Sequence, residues 1–166
     1  MPLHELLSAD RIAILTEPGN RGSVINAAAR LLADPLYASD SITCAAIRES
    51  LQARERLAST AIGHGVAIPH GRVAGFSERR GAFLRLSEPV DFGAIDGEPV
   101  DLVLAIAIPE HSLQEHLQQL AELAEHFSDA GFRDRLRAAP TVAQLGRCLL
   151  DGVGADTRVQ RRSTVA

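Results

Sequence analysis

The sequence predicts an α/β fold: one domain built on a mixed β-sheet of about five strands, flanked by helices on both faces. Three observations carry this. Short apolar runs of strand length alternate with longer segments of helical period. The run Asp101 to Ile108 (DLVLAIAI) is apolar almost throughout, as in a central strand covered on both sides. The last third carries two helix-start signatures followed by apolar residues at helical spacing. Composition agrees: hydrophobic residues make up 46% and charged residues 23% of 166, which supports a packed core and argues against disorder. Aromatics are only 4% and Trp is absent, so the core must be built from Leu, Ile, Val and Ala.

Leu3 to Leu15 mixes apolar and polar residues and shows no clear period. Ser23 to Leu32 reads as a helix with Val24, Ala28, Leu31 and Leu32 on one face, broken by Asp34-Pro35. A second helix runs from Ser41 to about Ala58. Its apolar stripe is Ile42, Ala46, Ile47, Leu51 and Leu57, and Arg48, Glu49, Arg54, Glu55 and Arg56 form its polar side. Ser59 to Gly65 has the small residues of a tight loop. Val66-Ala67-Ile68 is a short strand closed by Pro69, Arg72 to Arg80 a polar loop, and Ala82 to Leu86 another strand. Gly93, Asp96-Gly97 and Pro99 make Val90 to Val100 a turn-rich connector. After the central strand, Ser112 and Glu115 form a capping box for a helix whose apolar face is Leu113, Leu117, Leu120, Leu123, Ala124 and Phe127. Gly131 to Ala139 is a short helix. Thr141 and Gln144 cap a last one, stopped by Gly152. No repeat or linker divides residues 1–152, the domain; residues 153–166 lack an apolar period and read as a flexible tail.

Several function classes are excluded on these grounds. The net charge is −4 and there is no dense basic run, so nucleic acid is a poor partner. No apolar run reaches the roughly 18 residues of a membrane span, and residues 1–20 lack the apolar core of a signal peptide, so a cytoplasmic protein is expected. Cys44 and Cys148 sit in no CxxC pattern and are expected to be buried or half-buried thiols. His64, His70, His111 and His116 match no familiar zinc spacing, so neither a metal nor a cofactor is expected.

The chemistry centres on His70, in Ala67-Ile68-Pro69-His70-Gly71-Arg72. A strand ending at Pro69 would set the imidazole at the mouth of a loop on the sheet, with Gly71 adding no bulk beside it. A neutral imidazole is a competent nucleophile towards phosphorus near pH 7. Phosphoryl transfer further needs cations or hydrogen-bond donors around the equatorial oxygens, and Arg54, the Ser59 and Thr60 hydroxyls and the Gly63 and Gly65 amides lie nearby in sequence. His116, at a helix start, is either a partly buried packing residue or a second imidazole turned towards His70, where it would fix a tautomer or hold oxygens. His4, His64, His111 and His126 have weaker claims, with His126 facing solvent.

The run Arg54-Glu55-Arg56-Leu57-Ala58-Ser59-Thr60-Ala61-Ile62-Gly63-His64-Gly65-Val66-Ala67-Ile68-Pro69-His70-Gly71-Arg72 resembles the phosphorylation-site signature of fructose/mannitol-type (type 2) enzyme IIA domains of the phosphotransferase system. The pattern is an Arg-Glu pair, a Ser/Thr-Thr loop and an Ile-Ala-Ile-Pro-His-Gly core, and the similarity covers roughly residues 5–150. It implies that His70 accepts the phosphoryl group as a tele-phosphohistidine, although the sequence itself does not distinguish the two ring nitrogens. It also implies that Arg54 and Ser59 handle the phosphate and that His116 is the second active-site histidine. His64 departs from the Asn, acidic or small residue usual at its position. The implied donor is a phosphohistidine on an HPr-like carrier, itself charged by enzyme I from phosphoenolpyruvate.

Ala94 to Leu102 (AIDGEPVDL) is most similar to nitrogen-regulatory IIA proteins, as is the free-standing length without a IIB or IIC domain. This implies a phosphocarrier acting mainly as a nitrogen or metabolic regulator, with an HPr-like carrier of the nitrogen branch and regulatory target proteins as partners. Two alternatives stand beside it: a sugar-specific IIA passing phosphate to a separate IIB, and a non-catalytic regulatory binding protein.

Overall fold

The computed structural model describes residues 2–33, 41–111 and 113–151, without the side chains of residues 41, 42, 113 and 114. The Asp34-Pro35 breaker, Ser112 of the first capping box, Ile42 and Leu113 of the two apolar faces, the Gly152 stop and the tail from 153 lie outside what is described.

The elements run α1 (Leu3–Leu6), a 3₁₀ turn (Ala9–Arg11), β1 (Ile12–Leu15), α2 (Arg21–Leu32), α3 (Ser41–Leu57), β2 (Ala61–Gly63), β3 (Val66–Ala67), β4 (His70–Arg72), β5 (Arg80–Val90), β6 (Val100–Ile108), α4 (Leu113–Phe127), α5 (Ala130–Ala138) and α6 (Val142–Leu150). Six strand segments make one mixed sheet in the order β1-β5-β6-β3-β2, with β4 also paired to β6. β1 is parallel to β5, β5 antiparallel to β6, and β3 and β4 both parallel to β6. β3 lies along Leu102–Val103 and β4 along Ile106–Ile108, so the two are halves of one strand position interrupted at Ile68-Pro69. Five positions are thus occupied, as the sequence predicts. Proline causes the interruption because it has no N–H for the ladder; its carbonyl still accepts from the Ile106 amide at 2.8 Å.

β6 is buried at eight of its nine residues. Leu102, Leu104, Ile106 and Ile108 face a core shared with α1, α4, α5 and α6; Val103, Ala105 and Ala107 face a core shared with α2 and α3. Helices therefore cover both faces. The second face is lined by small residues (Ala27, Ala28 and Ala29 of α2; Ala82, Ala105 and Ala107 of the sheet), which lets α2 lie close.

Other boundaries moved. β1 forms in the stretch without a period because its four residues gain their stability from pairing with β5, a contact across 71 positions. The expected loop 59–65 contains β2, and the strand expected at 82–86 runs from Arg80 to Val90. The stripe of α3 is narrower than the pattern suggests: Ile47 and Leu51 are buried, whereas Ala46 and Leu57 are exposed and Glu55, assigned to the polar side, is buried. The last helix starts as expected, with Thr141 accepting from the Gln144 amide at 3.2 Å. Cys44 and Cys148 are free and half-buried, and His126 is exposed. Among the described residues, no helix is long and apolar enough to cross a membrane.

Candidate functional site

His70 is the first residue of β4 rather than a loop residue, so its backbone is fixed by the ladder with Ile106. Its Nδ1 lies 2.9 Å from the Ile68 carbonyl oxygen. A carbonyl only accepts, so Nδ1 carries the proton and Nε2 keeps the lone pair. Burial holds the pKa below the ordinary 6.5; the Ile68 hydrogen bond opposes this, Arg54 adds to it and Glu55 opposes it. The imidazole is therefore neutral at pH 7.

Gly71 lets α3 close on β4. A Cβ there would fall 3.0 Å from the Ser50 carbonyl carbon and closer still to Ser50 Oγ, which donates to the Arg72 carbonyl at 2.7 Å. One turn along α3 from Ser50, Arg54 reaches the same space as His70, with Nη1 held by the Ala58 carbonyl at 2.8 Å. His116, on the first turns of α4, closes the other side: the two imidazoles have centroids 5.1 Å apart and planes tilted by 58°. His116 is buried, and its pKa is pushed down to about 4 by desolvation, then by His70, Arg79 and Arg72.

Together these groups border a cavity of about 490 Å³ lined by Arg54, His70, Arg72, His116, Leu57 and Leu117 among others, with no acidic side chain among the described residues of its wall. Leu57 and Leu117 are 82% and 62% exposed, so the rim is apolar, and the lining includes two imidazoles and two guanidiniums. Such a basin suits a small dianion brought by a protein partner.

Ser59 is placed differently. Its hydroxyl donates to the Phe92 carbonyl at 2.5 Å and accepts from the Ala61 amide at 3.1 Å, and it does not line the cavity. Thr60 donates from its amide and hydroxyl to Glu55 at 3.1 and 2.6 Å. Gly63 and Gly65 flank His64 in a turn where all three have positive φ (95°, 57° and 77°), and the turn is held by Asp96 and Arg137 rather than facing His70. Arg72, Arg79 and Glu55 were not singled out from the sequence. Arg72 had a signal, since it stands two residues after His70 on the same strand, and Glu55 had one as the second member of the Arg-Glu pair, although nothing marked it as buried; Arg79 had none that separates it from ordinary surface charges. Among the described residues, no group of three or more His, Cys, Asp or Glu side chains is placed to hold a metal ion.

The mixed sheet and the histidine pair at an interrupted strand agree with the phosphotransferase-system IIA domain that the sequence resembles, and comparison with known proteins shows that family. The family described as "Phosphoenolpyruvate-dependent sugar phosphotransferase system, EIIA 2" matches residues 5–151, and the chain belongs to it. A nitrogen regulatory protein of Pseudomonas aeruginosa is 40% identical over 149 residues, covering 90% of this chain and 95% of that one. The crystal structure of nitrogen regulatory protein IIA-Ntr from Neisseria meningitidis superposes with a TM-score of 0.78 at 38% identity, over 89% of this chain and 98% of that one. The crystal structure of IIA mannitol from Escherichia coli shares the fold, with a TM-score of 0.66 at 24% identity over 86% and 98% of the two chains.

Proposed function

We propose that the protein is a phosphocarrier that takes a phosphoryl group onto His70 Nε2 from the phosphohistidine of an HPr-like carrier, and that its phosphorylation state serves regulation. The observation that carries the reading is the Ile68 hydrogen bond to Nδ1, which leaves the Nε2 lone pair as the nucleophile. In the transfer step, Nε2 attacks phosphorus in line with the donor N–P bond. The new Nε2–P bond forms as the old one breaks, and the electron pair returns to the donor ring nitrogen. The His70 proton stays on Nδ1 against Ile68, so no external base is required. Arg54 holds the transferring oxygens. His116, neutral at pH 7, adds a hydrogen-bond donor without itself competing as a cation. Ser59 acts at one remove, fixing the segment that carries β2 through Phe92 and Ala61. The apolar rim of Leu57 and Leu117 receives the carrier.

The nitrogen-regulatory branch is supported by the names of the relatives above, and it implies a nitrogen-branch carrier, target proteins sensitive to the added charge, and a cytoplasmic site of action. The test is incubation with phosphoenolpyruvate, enzyme I and each type of HPr-like carrier, followed by intact mass. One acid-labile phosphoryl group is expected, preferentially from the nitrogen-branch carrier, and none on His70→Ala. Labelling of that variant refutes the assignment, and transfer only from the sugar-branch carrier with onward passage to a IIB favours the sugar-specific alternative.

A further inference from the structure

Arg79, in the segment before β5, presents an unresolved account of buried polar atoms. Its side chain is only 12% exposed, and neither Nε nor Nη2 has a hydrogen-bond partner. The nearest carboxylate is Glu115 Oε2 at 3.6 Å from Nη2, too long for a hydrogen bond and carried by a side chain that is 76% exposed. A buried guanidinium with unmade bonds is costly unless acceptors face it. Two such acceptors stand unpartnered on α4: His116 Nε2 and Gln119 Oε1, both buried without a hydrogen bond. They are three residues apart, on one helix face, and Glu115 beside them already touches Arg79. Two orphan donors thus match two orphan acceptors, and Arg79 is near enough to His116 to act on its charge.

We propose that Arg79 is a positioning residue for phosphoryl transfer: donating to His116 Nε2 and Gln119 Oε1, it forces the His116 proton onto Nδ1 and so equips the cavity with a directed N–H donor. A guanidinium such as that of Arg79 only donates, so a nitrogen facing it must present a lone pair. Neutral His116 then has one remaining proton and one place for it. The groups around this ring are His70 and Arg72 from β4, Arg54 from α3 across the cavity, Arg79 from the segment before β5, and Glu115 on α4 itself. The cations outnumber the one exposed acid, which agrees with the downward shift of the His116 pKa. Arg79 does not line the cavity, whereas Arg54 does, so the two differ in role. This inference rests on the reading of His70 as the acceptor only for its consequence in transfer; the tautomer is measurable without any transfer.

The test is a pH titration of protein with ¹⁵N-labelled histidine, followed through two-bond ¹H–¹⁵N correlations, in wild type, Arg79→Met, Arg79→Lys and Gln119→Leu. In wild type His116 is expected as the Nδ1–H tautomer, with a pyridine-type Nε2 down to about pH 4. In Arg79→Met its proton affinity should rise at least tenfold and the Nε2–H tautomer should appear, with partial return in Arg79→Lys. Phosphorylation of Arg79→Met should slow about tenfold or more, with its acid limb moved to higher pH. A protonated Nε2 on neutral wild-type His116 overturns the proposal without any variant, which covers the case of a variant that does not fold. Unchanged titration in Arg79→Met overturns it as well. Labelling that persists in His70→Ala would instead overturn the acceptor assignment and leave the His116 result standing.

Discussion

At His64 the backbone occupies the left-handed region, with φ of 57°, and the turn is held through backbone hydrogen bonds of this residue. The amide donates to Asp96 Oδ2 at 2.9 Å and the carbonyl accepts from Arg137 Nη2 at 2.6 Å. A residue with a Cβ is strained here, and Asn tolerates the region better than His. His64→Asn should therefore stabilise the protein by roughly 0.5–1 kcal/mol and raise Tm by about 2 °C, with no change in phosphorylation; calorimetry checks the first and intact mass the second. A loss of stability would mean the imidazole has a role that its surroundings do not reveal. His70 offers a second test at this scale. Its pKa lies below 6.5, so the acceptor stays neutral at an acidity where a free imidazole would be half protonated. The midpoint of the acid fall in transfer rate should lie below pH 6.5; a midpoint above 6.5 would contradict a buried imidazole whose pKa is lowered.

At the scale of elements, the end of α3 organises the site through two adjacent residues. Arg54 turns to the cavity and ties the Ala58 carbonyl, while Glu55 turns inward and receives both the amide and the hydroxyl of Thr60, with Arg21 Nη1 at 3.9 Å. The segment from Ala58 to Ala61 is thus latched to the helix from which it departs. Glu55→Ala would strip a buried amide and hydroxyl of their acceptor and should cost about 2–4 kcal/mol, read as a lower urea midpoint; Glu55→Gln, which keeps an acceptor, should lose less. Equal losses would show that only the charge matters. A comparable latch closes the opposite end: Arg137 of α5 grips Asp101 of β6 through Nε and Nη2 at 2.9 and 2.8 Å and reaches the His64 carbonyl. The turn carrying Gly63 and Gly65, which the sequence suggested as a source of phosphate-binding amides, is instead part of this scaffold.

For the whole molecule, two partly or fully buried histidines with lowered pKa values make stability depend on pH in a defined direction. The unfolded chain protonates both near 6.5, whereas the native state resists protonation at His116 until about pH 4 and at His70 until some point below 6.5. Between those limits the unfolded state binds more protons, so stability falls as the pH is lowered from 6.5 towards 4. The His116 contribution, full above 6.5, should disappear over this window and amount to about 1–3 kcal/mol. Denaturant unfolding at pH 7.5 and 4.5, repeated with His116→Gln, measures it. The variant should show a shallower decline, and parallel curves would place the pH dependence elsewhere.

The sequence by itself determined the fold class, the central strand, most of the helices and the candidate acceptor. Those are consequences of local pattern: an unbroken apolar run, helical period with caps, and a Pro-His-Gly motif whose constraints act within a few bonds. Tertiary structure alone decided the rest. β1 exists because β5 lies beside it, and Ser59 turned away from the cavity because a distant carbonyl, that of Phe92, took its hydroxyl. Glu55 is buried and Arg79 faces α4 for the same reason: identical charged residues on a helix or in a loop are indistinguishable until packing determines which of them lose water. The pairing of His70 with His116 joins positions 46 residues apart, and only folding sets their rings, on β4 and α4, 5.1 Å from one another. Desolvation and charge proximity are properties of the assembled chain, so the lowered pKa values of His70 and His116 arise only on folding.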